Sequence, residues 1–339
     1  MTVSTQLTLP GWLQGPRGRG LMMAALGAIA FSGKAIVAKL MYKLGADAIS
    51  VVGLRMTMAF PLFLVMAWWA ARQAAGAASL TRRQWWQVVG LGITGYYLAS
   101  TLDFMGLQYI SASLERAILY LNPTMVLILS VWWFRQRVTG MQWAAVGLAY
   151  AGVAVVWLHD WETAQWAVTR SHELSATEAV TWGSLLVLGS ALSYAVYLVG
   201  SGRLVQQIGS LRLVGYASIV ACGLCALQWL LVSVWTQGQV GSVSGLPWQA
   251  YALSALNASA CTVLPVWLLM RGVQLLGASI ASQVGMIGPL STIWMAAWWL
   301  GEPVSPQLML GTAAILAGIV LLTRAGSGVS AQPPTRART

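Results

Sequence analysis

Charge is scarce in this sequence. Only 8% of its 339 residues are Asp, Glu, Lys or Arg, against roughly a quarter in an ordinary soluble domain, too few to dress a water-exposed surface. With 58% apolar residues and mean hydropathy +0.70 the chain is also far too hydrophobic to be disordered, so an integral membrane protein is the class that remains. Histidine is nearly absent. His159 and His172 are the only two, both expected in one loop outside the membrane, so a histidine-based triad or metal centre at bilayer depth has no candidates. Of three cysteines, Cys222 and Cys225 form a CxxC, but no His, acid or second Cys pair surrounds them to make a zinc or redox site. They read, like Cys261, as small apolar filler. Gly90-Leu91-Gly92-Ile93-Thr94-Gly95 matches a dinucleotide fingerprint, yet it follows no strand and lies inside an apolar helix, where small residues serve close packing. No ATP-binding signature is present, and no cofactor is expected.

What the chain has is a succession of apolar stretches long enough to cross a hydrocarbon core of about 30 Å. They fall at 21 to 42, 48 to 71, 85 to 106, 112 to 133, 140 to 158, 180 to 201, 211 to 235, 248 to 270, 278 to 299 and 304 to 323. Open sheet edges cannot be satisfied in lipid and the alternation of a membrane barrel is missing, so the expected fold is all-α, with ten transmembrane helices. Segment 1–20 and the Ser/Pro/Arg-rich tail 324–339 are expected in the cytoplasm, the tail disordered, and 159–179 on the far side as a connector.

The net charge of +11 resolves into topology. With the N-terminus cytoplasmic, thirteen basic residues, Arg17, Arg72 and Arg271 among them, fall on the inner side, and only Lys43 and Arg170 on the outer. Positive residues collect in cytoplasmic loops, so both termini are expected inside, and a nucleic-acid partner is not. Tryptophans agree, because indole prefers the headgroup level: Trp68, Trp85 and Trp132 mark inner helix ends, Trp157, Trp235 and Trp298 outer ones.

Sliding the chain on itself gives an ungapped match at an offset of 166 residues, with ten identities in the 53 positions from 106 to 158; roughly four or five would arise from so biased a composition. Pro123 meets Pro289, and Trp132-Trp133 meets Trp298-Trp299. An offset of five helices turns the second copy upside down, giving inverted five-helix repeats, 21–158 and 180–323, of the kind that suit alternating access.

Six ionisable residues remain within the expected helices: Lys34, Lys39, Arg55, Asp103, Glu115 and Arg116. Counted along their helices at 1.5 Å per residue, they could form one layer of charge +2. Charge at such depth usually faces a bundle interior; Lys39 and Asp103 are near enough to helix ends to snorkel. Lys34, Arg55 and Glu115 belong either to a substrate site or to a structural ion-pair network. Tyr96, Ser100 and Asp103 share a helix face, as do Glu115 and Asn122, and as do Ser190, Ser193, Tyr194, Tyr197 and Ser201; such stripes line a cavity or join helices. Ser282 and Gln283 stand where the first half has Arg116 and Ala117, offering neutral hydrogen bonding. Pro123 and Pro289 free the carbonyls of Leu119 and Gly285, as paired bending points or as passive kinks.

Phe31-Ser32-Gly33-Lys34-Ala35-Ile36, Leu54-Arg55-Met56, the run from Ser111 to Arg116 leading to Asn122-Pro123, Leu300-Gly301-Glu302-Pro303 and Ile315-Leu316-Ala317-Gly318 together resemble the EamA-type family of the drug/metabolite transporter superfamily, over about 21 to 324. The pattern departs from that family after the fourth helix, where Arg135-Gln136 replaces the usual Gly-Glu. The resemblance implies a central cavity between inverted halves and export or exchange of metabolites, commonly across a bacterial inner membrane. The expected function is secondary transport of a small solute, and the net-positive layer of intramembrane charges points to an anionic or zwitterionic, amino-acid-like one. Lys34 and Arg55 would attract its carboxylate, Glu115 would balance them or exchange a proton, and the lipid bilayer is the other partner. The competing reading is an intramembrane enzyme or scaffold without transport.

Overall fold

The computed structural model describes residues 15–73, 80–135, 138–163, 175–276 and 278–327. Among these every regular element is helical. In lipid a backbone must satisfy its own N–H and C=O groups, and the helix does this within one segment. The order is α1 (Pro16–Lys43), α2 (Ala48–Gln73), α3 (Arg82–Gly92), a π-helical stretch Ile93–Leu98, α4 (Ala99–Leu107), α5 (Ala112–Leu119), α6 (Asn122–Phe134) and α7 (Gly140–Thr163). Then come α8 (Ala176–Ile208), α9 (Ser210–Trp235), α10 (Trp248–Ala258), a π-helical stretch Ser259–Val263 and α11 (Leu264–Leu276). The last described elements are α12 (Ala278–Gly285), α13 (Ile287–Met295), a third π-helical stretch Ala296–Leu300, and α14 (Pro306–Ser327).

Eight helical runs among the described residues are long and apolar enough to cross a membrane, so the chain is an all-helical polytopic membrane protein. The stretches expected at 85–106 and 278–299 are helical too, but interrupted. Several boundaries move, and α1 already starts at Pro16, within the expected N-terminal segment 1–20. Helix α7 continues past 158 to Thr163, so His159 lies in a helix rather than in the connector, and α8 starts at Ala176, ahead of the expected 180. Helix α14 likewise runs on to Ser327, into the segment expected to be a disordered tail. His172 and Arg170 lie outside the described residues.

Helix starts carry their own signals. Thr81 and Gln84 form a reciprocal capping box at α3, and Ser175 and Glu178 form another at α8. Each satisfies backbone donors that the first turn leaves orphaned. Packing then depends on small residues. A Cβ at Gly106 would lie 2.6 Å from the carbonyl oxygen of Gly183, so α4 and α8 meet backbone to backbone. Helices α7 and α14 meet in the same way, Gly152 lying against the carbonyl of Gly311 and Gly318 against that of Ala145. Close approach of this kind is how membrane helices gain dispersion energy without a hydrophobic drive between them. Two of the three glycines in the glycine-rich run pack closely, Gly92 on Ala217 of α9 and Gly95 on the Tyr197 ring of α8, while Gly90 has open space beside it. Large apolar side chains on the outside, such as Leu230, Val234, Trp132 and Trp298, face the lipid.

Candidate functional site

Helices α1, α4 and α5 bring four of the expected residues together in the interior. The Nζ of Lys34 donates to Asp103 Oδ2 at 2.5 Å and lies 3.9 Å from Glu115 Oε1. Arg116 Nε is 3.8 Å from Glu115 Oε2, and its Nη2 donates to the carbonyl of Phe31 at 3.4 Å. Glu115 is fully buried and Asp103 is 2% exposed. Asp103 therefore does not snorkel: its carboxylate is turned into the bundle and paired with the ammonium of Lys34, as buried charges are. Both oxygens of Glu115 and Oδ1 of Asp103 lack a hydrogen bond, which leaves the cluster under-satisfied by protein groups alone.

Arg55 joins this centre from α2 through an aromatic platform. Its guanidinium carbon lies 4.4 Å from the Phe104 ring centroid, while Lys34 Nζ lies 5.4 Å from the same centroid and 5.3 Å from that of Phe31. Cation–π contact offsets part of the cost of burying both cations. Phe104 did not stand out in the sequence, because a Phe in an apolar helix carries no signal of its own, and Phe31 entered only as the first residue of a motif of the family resemblance.

Lys39 belongs elsewhere. It is 3% exposed, not snorkelling, and sits in the field of Glu302 and Asp160. Those carboxylates hold the start of α5: Asp160 Oδ2 accepts from Ser111 N at 3.1 Å, and Glu302 accepts from Ala112 N at 2.9 Å and from Ser113 Oγ at 3.1 Å. Anions at a helix N-terminus satisfy its orphan donors and meet its dipole. The expected single layer of six is thus divided, five residues at the centre and Lys39 with the α5 cap. Sequence reading put Asp160 in the connector 159–179 and Glu302 between two expected helices, and missed the cap, because the chain brings Asp160 to Ser111 from 49 residues away and Glu302 to Ala112 from 190.

The tyrosines form a second group. Tyr96 and Tyr197 hydroxyls are 3.2 Å apart with rings edge to face, and Tyr194 stacks on Tyr197 at 5.4 Å. Tyr96 packs against both the apolar cluster holding Phe104 and that holding Tyr197, which makes it the link between the two groups. The serine stripe of α8 joins helices: Ser190 Oγ donates to the Ala99 carbonyl and Ser193 Oγ to that of Thr94.

Both proline-freed carbonyls have side-chain donors. Asn122 Nδ2 bonds the Leu119 carbonyl at 2.7 Å, and the Tyr120 hydroxyl bonds the Gly285 carbonyl at 2.9 Å. Each proline lies in the first turn of a new helix, α6 or α13, after a break at Tyr120-Leu121 or Met286. The side chain of Gln283 is outside the described residues. A groove of about 480 Å³ lined by Tyr97, Leu224, Gln228, Leu231 and Trp235 includes none of the central ions.

Known proteins share this plan. The model of the EamA-like transporter family matches residues 18–158 and 181–324. Two Bacillus subtilis proteins, each named an uncharacterized transporter, are similar in sequence. YcbK is 29% identical over 293 residues, 86% of this chain and 88% of its own length, and YyaM is 25% identical over 231 residues, 68% and 70%. One solved crystal structure aligns with 92% of this chain and 99% of its own at a TM-score of 0.58 and 15% identity, which shows a common fold. A polytopic helical bundle with buried ions, matched almost throughout by one family model, is a membrane transporter, and the chain belongs to the EamA-like transporter family.

Proposed function

We propose that the protein is a secondary transporter of ten membrane-spanning helices in two inverted halves, moving a small anionic or zwitterionic, amino-acid-like solute by alternating access, in the direction of export. One observation carries this reading. The interruptions of the first half recur 166 residues later: α3 and α10 start at 82 and 248, the π-helical stretches at 93 and 259, α5 and α12 at 112 and 278. Even the left-handed residue closing a helical run recurs, Arg135 at φ 51° and Gly301 at φ 75°. Matching irregularities at one offset are what two copies of one mobile unit require, since each half must adopt the other's conformation; the π-helical stretch Ala296–Leu300 is peculiar to the second half, 130–134 being α-helical. Pairing supports it as well, because α1 packs on α11 as α4 packs on α8, and α2 on α9 and α7 on α14 cross between halves.

In this reading the central ions and the tyrosine group line the path, Asn122 contributes a hydrogen-bonding group to it, and the breaks before Pro123 and Pro289 are the paired bending points. Both termini are cytoplasmic in a bacterial inner membrane, by the distribution of basic residues. Glu115, with no hydrogen-bond donor of its own, is the group suited to exchange a proton. The test is a solute screen on proteoliposomes with and without a proton gradient. Saturable flux of a carboxylate-bearing solute, driven or accelerated by the gradient, is the expected result; no flux of any solute, with chemical turnover in detergent, would overturn it.

A further inference from the structure

Among the cations of the centre Arg55 stands apart. Lys34 and Arg116 each have a carboxylate within 4 Å, whereas Arg55 has none among the described residues. It is nevertheless 2% exposed. Its Nη1 makes one long contact, 3.5 Å to Thr262 Oγ1, while Nε and Nη2 have no acceptor. Thr262 is oriented for this role, because its own proton goes to the Asn257 carbonyl at 2.8 Å, leaving a lone pair for the guanidinium.

The two unpartnered nitrogens are not an arbitrary pair. Nε and Nη2 form one edge of the guanidinium, with parallel N–H bonds spaced to match the two oxygens of a planar carboxylate. A buried arginine with this edge unfilled lacks the acceptors that buried polar groups nearly always have. We propose that the Nε–Nη2 edge of Arg55 binds the carboxylate of the transported solute, and that the Lys34 ammonium, already held by Asp103, does not. This narrows the sequence expectation, which shared the carboxylate between Lys34 and Arg55. Counting the centre alone, three cations face two carboxylates, so one carboxylate brings it to neutrality. A solute with a single carboxylate fits; a sulfate or a second carboxylate overshoots. Phe104 beneath the guanidinium and Thr262 beside it fix the plane, so the preference extends to shape as well as charge.

This inference rests on the transporter reading, but binding can be measured apart from flux. The full chain in lipid nanodiscs is titrated at constant ionic strength with sodium acetate and sodium benzoate, and with acetamide, benzamide and sodium sulfate as comparisons, following the thermal unfolding midpoint. A ligand of the folded state raises that midpoint in a saturable way. The carboxylates are expected to do so and the amides and sulfate not. Arg55→Gln should abolish the shift, and Arg55→Lys, which keeps the charge but loses the fork, should weaken apparent affinity at least tenfold. If Arg55→Gln does not fold, Arg55→Lys carries the test. A benzoate shift unchanged in Arg55→Lys, or matched by benzamide or sulfate, would overturn the proposal. Arg55-dependent binding in a chain that moves no solute would overturn the transporter reading and leave the site; flux of a neutral solute untouched by Arg55→Lys would do the reverse.

Discussion

At the scale of single residues, the Lys34 and Asp103 pair decides what the centre can tolerate. Removing one partner of a buried pair leaves the other charge uncompensated and costs about 3–5 kcal/mol, while an apolar replacement of both is close to neutral. Asp103→Leu is therefore expected to destabilise the protein by about that amount, and Lys34→Met with Asp103→Leu to recover most of it, read from denaturant midpoints in detergent. An additive double mutant would show that the two side chains do not interact. Arg135 offers the opposite case. It is exposed and closes α6 in a left-handed conformation, which costs a side-chain-bearing residue about 1–2 kcal/mol. Gly301 takes the same role without that strain. Arg135→Gly should stabilise by about 1 kcal/mol, less the entropy that glycine adds to the unfolded chain; a fall in stability would mean that the arginine makes contacts worth more than the strain.

At the scale of elements, the helix breaks are tied to one another. The hydroxyl of Tyr120, at the first break, bonds the carbonyl of Gly285 at the second, and Gly288 packs against the same hydroxyl and against Ser32 of α1. Any bending at one break is thus felt at the other. Tyr120→Phe leaves the Gly285 carbonyl without that donor and is expected to cost about 1–3 kcal/mol. Faster amide exchange in α12 and α13 than elsewhere would accompany the loss; uniform exchange would show the breaks to be independent.

At the scale of the whole molecule, the parts legible in the sequence were those that lipid imposes. Apolar length marked the helical runs. The recurrence of Pro123 in Pro289 pointed to a register of 166 that the π-helical stretches at Ile93 and Ser259 repeat. Ionisable residues in apolar helices were conspicuous as single positions, but their pairing was not. Lys34 and Asp103 are 69 residues apart, and Glu302 reaches Ala112 across 190, separations that no local pattern encodes. The π-helical stretches were invisible, since Tyr96 and Thr262 sit in runs with ordinary helical composition. The central claim is that a polar interior opens to each side in turn, and accessibility tests it most directly. Tyr194 lies midway along α8 beside Tyr197. With Cys222, Cys225 and Cys261 replaced by alanine, a Tyr194→Cys protein is exposed to a membrane-impermeant thiol reagent in right-side-out and in inverted vesicles. Alternating access predicts labelling in both orientations, shifted in opposite directions by a transported carboxylate. Labelling from one side only, unchanged by any solute, would contradict it.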